Sequence, residues 1–384
     1  MTLKMLEPNS YDVIVIGAGI AGASIAYELA FDRNVLVLER EEHVGYHSTG
    51  RSAAVYIPSY DFHETSLFTL TKASYEFLAK PPADFSDRGF FKSRGLVMVG
   101  QKDQESELIQ AYEEKARLWP NIRMLYGEQL RELVPDLSVD YGYCGIYEPD
   151  VFDIDVHALH DSYLRGVKRR GSAVRCNAVV QSIVRSDRGW SLETPTGVYS
   201  ASVIVNAAGA WCDEIATLAS VASVGLNPLR RTAILVDPAQ GADIQTWPVI
   251  ADFGGRFYFK PDAGLLLASP ADETPSNAMD AQPEELDVAY AAHFAEEVLG
   301  LQIRRVNQSW AGLRSFVSDR RPVIGPAADD QSFFWIAGQG GHGIQIAPAA
   351  ARVGAALVRG ESIPSDLQRL GFNVEGVLPK RLKI

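Results

Sequence analysis

The chain begins with a continuous apolar run, residues 11–17, that ends at a glycine. Small and apolar residues then form a helix-like stretch over residues 20–30, and a second apolar run occupies residues 35–39. Short continuous apolar runs bounded by turn signals are typical of parallel strands that are buried on both faces. The pattern therefore predicts one compact β-α-β unit at this end of the chain.

Further elements follow from the same patterns. Helices are predicted at residues 65–78, 103–118, 155–170, 283–299 and 344–359. Buried strands are predicted at residues 203–206 and 333–337, strand-like pieces at 95–99 and 145–147, and antiparallel strands at 230–236, 256–260 and 265–268. Because buried strands recur at the beginning, middle and end of the chain, one discontinuous domain is expected, with a second domain inserted into it.

The turn after the first apolar run carries the pattern Gly17-Ala-Gly19-Ile-Ala-Gly22. In a strand–turn–helix unit, the first glycine permits the turn, the second lets the backbone approach a pyrophosphate, and the third lets helix and strand pack closely. The helix N-terminus offers free N–H groups and a positive dipole end to the phosphates. Glu39, at the end of the second run, is placed to accept hydrogen bonds from ribose hydroxyl groups. The motif predicts a dinucleotide but leaves FAD and NAD open.

Composition narrows the class of protein. The 384 residues carry 36 basic and 48 acidic side chains, a formal charge of −12, which argues against nucleic acid as a partner. Cys144, Cys176 and Cys212 lack metal-ligand spacing and are expected to be reduced thiols in a cytoplasmic protein that needs no metal. Glycines interrupt the apolar stretch at residues 13–31, so neither a membrane anchor nor a secretory signal is expected. Peripheral membrane contact stays open, without support.

Three later loops favour FAD. Residues 47–54 combine hydroxyl groups with the Arg51 guanidinium, a set suited to a pyrophosphate and a flavin edge. Residues 206–211 are small enough to let a cofactor approach, and residues 338–345 offer backbone N–H groups to the flavin pyrimidine edge, where negative charge accumulates on reduction. The predicted cofactor-binding residues are Gly17, Gly19, Ile20, Ala21, Gly22, Glu39, Arg40, His47, Ser48, Thr49, Arg51, Ser52, Ala53, Ala54, Ala208, Gly209, Trp211, Gly312, Arg314, Gly340, Gly341, His342, Gly343, Ile344 and Gln345.

These elements, in this order, resemble the D-amino-acid oxidase and dehydrogenase superfamily of flavoenzymes, which includes glycine and sarcosine oxidases. The resemblance covers nearly the whole chain, is carried by residues 45–54, 206–211, 311–316 and 339–345, and is strongest to the bacterial D-arginine dehydrogenases. It implies an α/β fold with a Rossmann-like FAD-binding domain and an inserted α+β substrate-binding domain on a mixed or antiparallel sheet. The implied boundaries are residues 1–80, 148–225 and 306–384 for the first domain, and 81–147 and 226–305 for the second.

The resemblance also implies the reaction and its residues. A D-amino acid would be oxidised to its imino acid by hydride transfer to flavin N5, and water would then release a 2-oxo acid and ammonia. Arg314 would clamp the substrate carboxylate with two hydrogen bonds, assisted by the Tyr258 hydroxyl. Arg231 and Tyr60 match substrate-contacting positions, although Arg230 stays an alternative because neighbouring strand residues face opposite sides of a sheet. No side chain is assigned as catalytic base.

Departures from the D-arginine enzymes point to a different substrate side chain. Leu96 stands where a substrate guanidinium would need an acidic partner, and Val55 and Ile57 are apolar where the relatives are more polar. An unpaired guanidinium in such a pocket would cost on the order of several kcal/mol. A neutral, apolar D-amino acid is therefore expected. His342 stands where the relatives have tyrosine, and it is expected either to tune the site or simply to pack.

Three other readings stay open. Oxidation of a secondary amine, such as sarcosine, glycine-type or proline substrates, would use the same site. A non-catalytic FAD-binding protein would be yellow, but no amine would bleach it, and an NAD-dependent dehydrogenase would be colourless. The electron acceptor, whether a quinone, a dye or O2, is also open, because O2 reactivity depends on access and charge beside the flavin.

Overall fold

The computed structural model describes residues 9–187 and 189–382. Residues 1–8, 188 and 383–384, which include both ends of the predicted FAD-binding domain, lie outside the described residues. The strands are β1 Ser10–Ile16, β2 Val35–Leu38, β3 Val55–Tyr56, β4 Phe91–Ser93, β5 Leu96–Gly100, β6 Arg123–Tyr126, β7 Cys144–Glu148, β8 Phe152–Ile154, β9 Ala173–Arg175, β10 Ser182–Ser186, β11 Gly189–Thr194, β12 Gly197–Asn206, β13 Asn227–Val236, β14 Val249–Asp252, β15 Tyr258–Asp262, β16 Leu265–Ser269, β17 Thr274–Pro275, β18 Gln308–Phe316, β19 Val323–Pro326 and β20 Phe333–Ala337. The α-helices are α1 Ile20–Leu29, α2 Thr65–Ala79, α3 Glu105–Ala116, α4 Glu128–Leu133, α5 Val156–Arg169, α6 Cys212–Leu218, α7 Glu285–Leu299, α8 Gly343–Arg359 and α9 Ser365–Arg369.

The first sheet has eight strands. Its parallel part runs β9-β2-β1-β12-β20, β19 pairs antiparallel with β20, and the hairpin β10-β11 pairs with the first half of β12. Strand β1 shows why its residues form an unbroken apolar run. Val13 and Val15 pack into the core under α1, α5 and α8, whereas Ile14 and Ile16 pack into a second core on the opposite face.

The second sheet has nine strands. Its order is β17-β13-β16-β15-β14-β5-β7-β6, with β18 paired along β13, and only β14 and β5 pair in parallel. Helix α7 packs against β13 and β16. A third sheet has three strands in the order β3-β8-β4. The α/β fold class predicted from the sequence is confirmed.

The eight-stranded sheet draws its strands from three separated stretches of chain, residues 10–38, 173–206 and 323–337. Strand β18 belongs to the nine-stranded sheet, although its residues lie in a segment assigned from the sequence to the FAD-binding domain. The predicted helices each form within a few residues of their expected bounds. The strands β3, β4, β6, β8–β11, β14 and β17–β19 were not foreseen. The domain boundaries themselves stay a prediction.

Candidate active site

A cavity of about 910 Å³ lies where the carboxyl ends of β1, β2, β12 and β20 meet the nine-stranded sheet. Ligands of open parallel sheets bind at this edge. Every residue predicted for the cofactor or the substrate lines the cavity, with the exception of Gly22 and His342. The structure therefore brings together, around one cavity, segments that are far apart in the sequence.

The three glycines of the turn after β1 are required for different reasons. Gly17 has φ +101°, and a Cβ there would lie 2.5 Å from the Ala207 carbonyl oxygen. A Cβ on Gly22 would lie 1.9 Å from the Gly17 oxygen, so both positions are required by the packing of the protein itself. Gly19 differs, because a Cβ there would meet only the Thr49 hydroxyl, at 3.2 Å. Gly19 is thus the glycine of this turn that keeps the wall open to a ligand.

Glu39 holds the glycine turn from the end of β2. Its carboxylate accepts hydrogen bonds from the backbone N–H groups of Ala18, at 2.8 Å, and Glu41, at 3.0 Å. His160, which the sequence did not single out, supports the turn from behind with Nε2 2.8 Å from the Ala18 carbonyl oxygen. Burial lowers the pKa of His160, so the neutral ring with a proton on Nε2 donates this hydrogen bond.

The Arg51 guanidinium is bound by groups of the protein itself. Its guanidinium donates to the carbonyl oxygens of Ala281, at 2.9 Å, and Ala311, at 3.0 Å, and also binds Asp280. Ser48 donates to the Leu313 carbonyl oxygen at 2.6 Å. These hydrogen bonds hold the loop after β2 against β18 of the nine-stranded sheet. The contact of Arg51 with a pyrophosphate stays a prediction.

Trp211 and two neighbours form the wall beside Glu39. The Arg40 guanidinium carbon lies 4.6 Å from the centre of the Trp211 ring, and the His47 ring lies 4.6 Å from the same ring. His47 Nε2 is 2.9 Å from a Glu41 carboxylate oxygen. All three predicted side chains therefore lie together, as one aromatic and cationic patch.

The glycines that precede α8 make room mainly for side chains of this protein. A Cβ on Gly340 would lie 2.2 Å from the Phe316 ring, and one on Gly341 would lie 2.3 Å from an Arg314 nitrogen. Gln345, in the first turn of α8, accepts from the Ile57 N–H at 3.1 Å and fixes the loop opposite. Gln339 Nε2 is buried on this wall and has no hydrogen-bond partner among the described residues.

These walls fit FAD. The first turns of α1 and α8 both open on the cavity, and the N–H groups of a helix start have no partners within the helix. The Ile20 N–H donates to the Thr49 hydroxyl at 3.0 Å. The Gln339 amide, which has no partner among the described residues, and the open space beside Gly209 remain for a ligand. A cavity of this size accommodates a bound organic cofactor together with a small substrate.

The predicted substrate arginines gather around a carboxylate that the sequence did not reveal. Glu273 lies 3.2 Å from Arg314, 3.4 Å from Arg231, and 2.9 Å from Arg320. All four side chains line the cavity. Burial raises the pKa of Glu273, but the hydrogen bond from Arg320 and the neighbouring guanidinium charges outweigh it and lower the pKa overall. Glu273 is therefore an ionised carboxylate held within an arginine cluster.

Of the two neighbouring arginines, Arg231 and not Arg230 lines the cavity. Arg231 pairs in register with Gly312 and faces the cavity, with its guanidinium carbon 5.9 Å from the centre of the Tyr258 ring. Arg230 points to the other face of the sheet, where it binds Glu284 and Asp287. Burial and the charge of Arg314 both lower the pKa of Arg231.

Tyr60 connects the arginine cluster to a buried histidine. Arg314 lies 3.4 Å from the Tyr60 hydroxyl, and the Tyr60 ring stacks on His342 with 4.4 Å between ring centres. His342 is only 3% exposed, and its Nε2 lies 2.9 Å from Asp61 without hydrogen-bond alignment. The His342 ring thus lies behind the cavity wall, although its neighbours Tyr60 and Asp61 both line the cavity, and its role stays a prediction.

A second charged cluster, formed by Lys115, Glu148 and Ser59, also lies on the cavity wall. Lys115 donates to Glu148 at 2.5 Å and to Ser59 at 2.9 Å, and Ser59 donates to the other Glu148 oxygen at 2.5 Å. Sequence reasoning missed these residues. The position of Glu148 at the end of a buried strand was the one available signal, because Lys115 sits among the many charged residues of α3.

Apolar side chains line the same cavity as the two clusters. Leu96, Val55, Ile57, Met98 and Val249 pack together, and all five line the cavity. The predicted apolar residues thus form one surface of the same chamber that holds the arginines. Such a surface can bury an aliphatic or aromatic side chain of a ligand.

Comparison with known proteins agrees with this reading of the walls. The family model described as "FAD dependent oxidoreductase" (DAO) matches residues 12–357 and confirms FAD as the cofactor. FAD-dependent oxidoreductase domain-containing protein 1 of Bos taurus is 23% identical, over 92% of this chain and 82% of its own length. Glycine oxidase of Geobacillus kaustophilus is 23% identical, over 94% of this chain and 96% of its own. The crystal structure of L-proline dehydrogenase from P. horikoshii superposes with a TM-score of 0.81 and 22% identity over 98% of both chains.

Proposed function

Because this chain belongs to the DAO family of FAD-dependent oxidoreductases, we propose that it oxidises the amine of a D-amino acid with a neutral, apolar side chain. The product is the imino acid, which water hydrolyses to a 2-oxo acid and ammonia. The observation that carries this proposal is the pair Arg231 and Arg314, which faces one chamber with the cofactor walls and Tyr60. Two guanidinium groups in a partly buried site suit a carboxylate.

The residues of the chain bind and orient the substrate. FAD, when bound, supplies the two-electron oxidant. Arg314 and Arg231 hold the carboxylate, and the Tyr60 hydroxyl beside Arg314 adds a further hydrogen bond, which restricts the substrate to few orientations. The apolar surface around Leu96 takes the side chain and excludes water from it. No side chain is needed as a nucleophile.

A screen for anaerobic bleaching of the bound flavin tests the proposal. Purified holoprotein is mixed with D- and L-forms of alanine, leucine, methionine and phenylalanine, and the loss of oxidised flavin absorbance is followed. We expect bleaching by the apolar D-forms, with slower or no bleaching by L-forms and by D-arginine. Bleaching by L-forms alone, or a best kcat/KM for D-arginine or D-lysine, contradicts the proposal.

Secondary amines are the second candidate. One relative described above is named L-proline dehydrogenase, for a secondary amine, and another glycine oxidase, for an achiral primary amine, and both substrates carry the same carboxylate. Sarcosine and both forms of proline therefore belong in the same screen. A kcat/KM for one of them above that of every primary D-amino acid selects this alternative.

The acceptor and the cellular location are further proposals. We propose a cytoplasmic enzyme on the ground that Cys144, Cys176 and Cys212 are free, with two of them buried. No helix among residues 9–187 and 189–382 has the length and apolarity to cross a membrane. Reoxidation of the reduced protein by O2, compared with reoxidation by a quinone or a dye, identifies the acceptor class, and cell fractionation checks the location.

A further inference from the structure

We propose that Lys115 is an internal cation that fills a side-chain subsite of this cavity and thereby excludes cationic substrates. Glu148 and Ser59 complete the subsite. The inference rests on the proposed function, because it assigns the residues that decide which amino acid side chain is accepted. On this proposal Glu148 is the acidic group that could pair with a cationic substrate, and Lys115 neutralises its charge.

The strand register places the acidic group. Leu96 of β5 pairs directly with Glu148 of β7, and directly paired residues of adjacent strands project from the same face of a sheet. Both side chains line the cavity. The apolar Leu96 therefore does not remove the acidic group from this wall, since a carboxylate stands on the neighbouring strand.

Hydrogen bonding within the cluster leaves no free negative charge. Glu148 is 3% exposed, one of its oxygens binds Lys115 at 2.5 Å, and the other accepts from Ser59 at 2.5 Å. Lys115 uses a second N–H for Ser59, at 2.9 Å. A ligand that reaches this wall meets a balanced ion pair whose lysine occupies the position that a ligand cation would need.

The position of the cluster links it to the carboxylate site. Ser59 directly precedes Tyr60, whose hydroxyl lies 3.4 Å from Arg314. Two neighbouring residues therefore contact both clusters, Tyr60 the arginine cluster and Ser59 the pair Lys115 and Glu148. The apolar surface of Val55, Ile57 and Leu96 lines the same chamber. A ligand with a carboxylate and an aliphatic chain spans these two charged regions.

Removal of one charge should reverse the preference of the subsite. In Lys115→Met the carboxylate of Glu148 lacks its cation, and a buried unpaired charge strongly favours an incoming partner of opposite sign. In Glu148→Gln the lysine lacks its anion, so the wall favours an anionic ligand end. The double variant Lys115→Met/Glu148→Gln removes both charges and is the matched control.

The experiment measures binding to the FAD-loaded protein by isothermal titration calorimetry at neutral pH. The three probes are pentanoate, 5-aminopentanoate and glutarate, which share one carboxylate and differ in having a neutral, cationic or anionic far end. Each variant is first checked for folding and for bound flavin by its absorption spectrum. Because the probes lack an α-amine, the result does not depend on which amino acid the enzyme oxidises.

We expect the wild type to prefer pentanoate. Lys115→Met should shift the affinity ratio of 5-aminopentanoate to pentanoate by at least about tenfold, and the double variant should lose that shift. An unchanged ratio in folded Lys115→Met overturns the inference. If that variant does not fold, Glu148→Gln decides, since the absence of a shift towards glutarate overturns it equally.

Failure of the proposed function gives a different pattern. If the wild type binds pentanoate but no D-amino acid bleaches its flavin, the proposed D-amino acid substrate is wrong. The subsite is then judged by the binding ratios alone. If the wild type binds none of the three probes, the carboxylate site is absent and both proposals are wrong.

Discussion

Two charged clusters line one cavity, and they differ in balance and exposure. The arginine cluster has three guanidinium groups around one carboxylate, Glu273, whose side chain is 35% exposed. The lysine cluster has one ammonium and one carboxylate, Lys115 and Glu148, whose side chains are 12% and 4% exposed. Within these ion pairs the first cluster has three cations to one anion, with the charges of Asp61 and Asp272 also acting on its arginines, and the second has one cation to one anion.

We expect the arginine cluster to bind the ligand's carboxylate and the lysine cluster to limit which side chain the cavity accepts. An excess of positive charge in a partly enclosed cleft attracts an anion and holds it without a large rearrangement. A balanced and buried pair gives no net attraction, and breaking it leaves one charge unpaired in a medium of low polarity. The two clusters can therefore be told apart by changing one charge in each.

Replacing Arg314 should have the largest effect. Arg314→Ala removes the side chain that faces both Glu273 and Tyr60, and we expect kcat/KM to fall by about 10³-fold, or about 4 kcal/mol. Arg320→Ala is the matched control, because Arg320 also binds Glu273 but is half exposed, and a loss of only about threefold is expected. Steady-state kinetics with the best substrate measure both, and equal losses would contradict the distinction.

Breaking the lysine cluster should act on stability. Lys115→Met leaves Glu148 buried without its cation, so we expect the free energy of unfolding of the holoprotein to fall by about 3 kcal/mol. The double variant with Glu148→Gln should recover most of this loss. Urea-induced unfolding measures the three proteins side by side. A double variant as unstable as the single one would show that packing of the Lys115 chain, rather than charge balance, is responsible.

Removing the Glu273 carboxylate should strengthen ligand binding. Glu273→Gln adds one net positive charge to the arginine cluster, so the dissociation constant of a simple carboxylate should fall by about tenfold, and the affinity should depend more steeply on salt. Glu64→Gln is the control, because Glu64 pairs with Arg321, and neither residue is on the cavity wall. Weaker binding in Glu273→Gln would show instead that Glu273 positions the arginines.

The smallest effect is expected at Tyr60. Tyr60→Phe keeps the ring stacked on His342 but removes the hydroxyl that lies 3.4 Å from Arg314. Loss of one long hydrogen bond should lower kcat/KM by about threefold to tenfold. If His342→Gln lowers kcat/KM by more than Tyr60→Phe does, the histidine acts on the reaction by a route other than Tyr60.

Much of the cofactor side could be predicted from the sequence. Gly17, Gly22 and Glu39 follow a local strand–turn–helix pattern, and the main chain there sets which residues fit. Arg51 shows the limit of this reasoning. Its position in a hydroxyl-rich loop favoured a phosphate contact, whereas its guanidinium binds Asp280 and two carbonyl groups more than 200 residues away in the chain.

The sequence by itself determined the β-α-β unit, the FAD cofactor and the arginines available for a carboxylate, because those signals lie in short runs of neighbouring residues. Only the tertiary structure decided that Arg231 rather than Arg230 faces the cavity, that Glu273 joins the arginines, and that Lys115 neutralises Glu148. These facts depend on strand register and on contacts between segments far apart in the chain. Whether the charges that line a cavity balance depends on which segments form its walls, and no local pattern of residues encodes that.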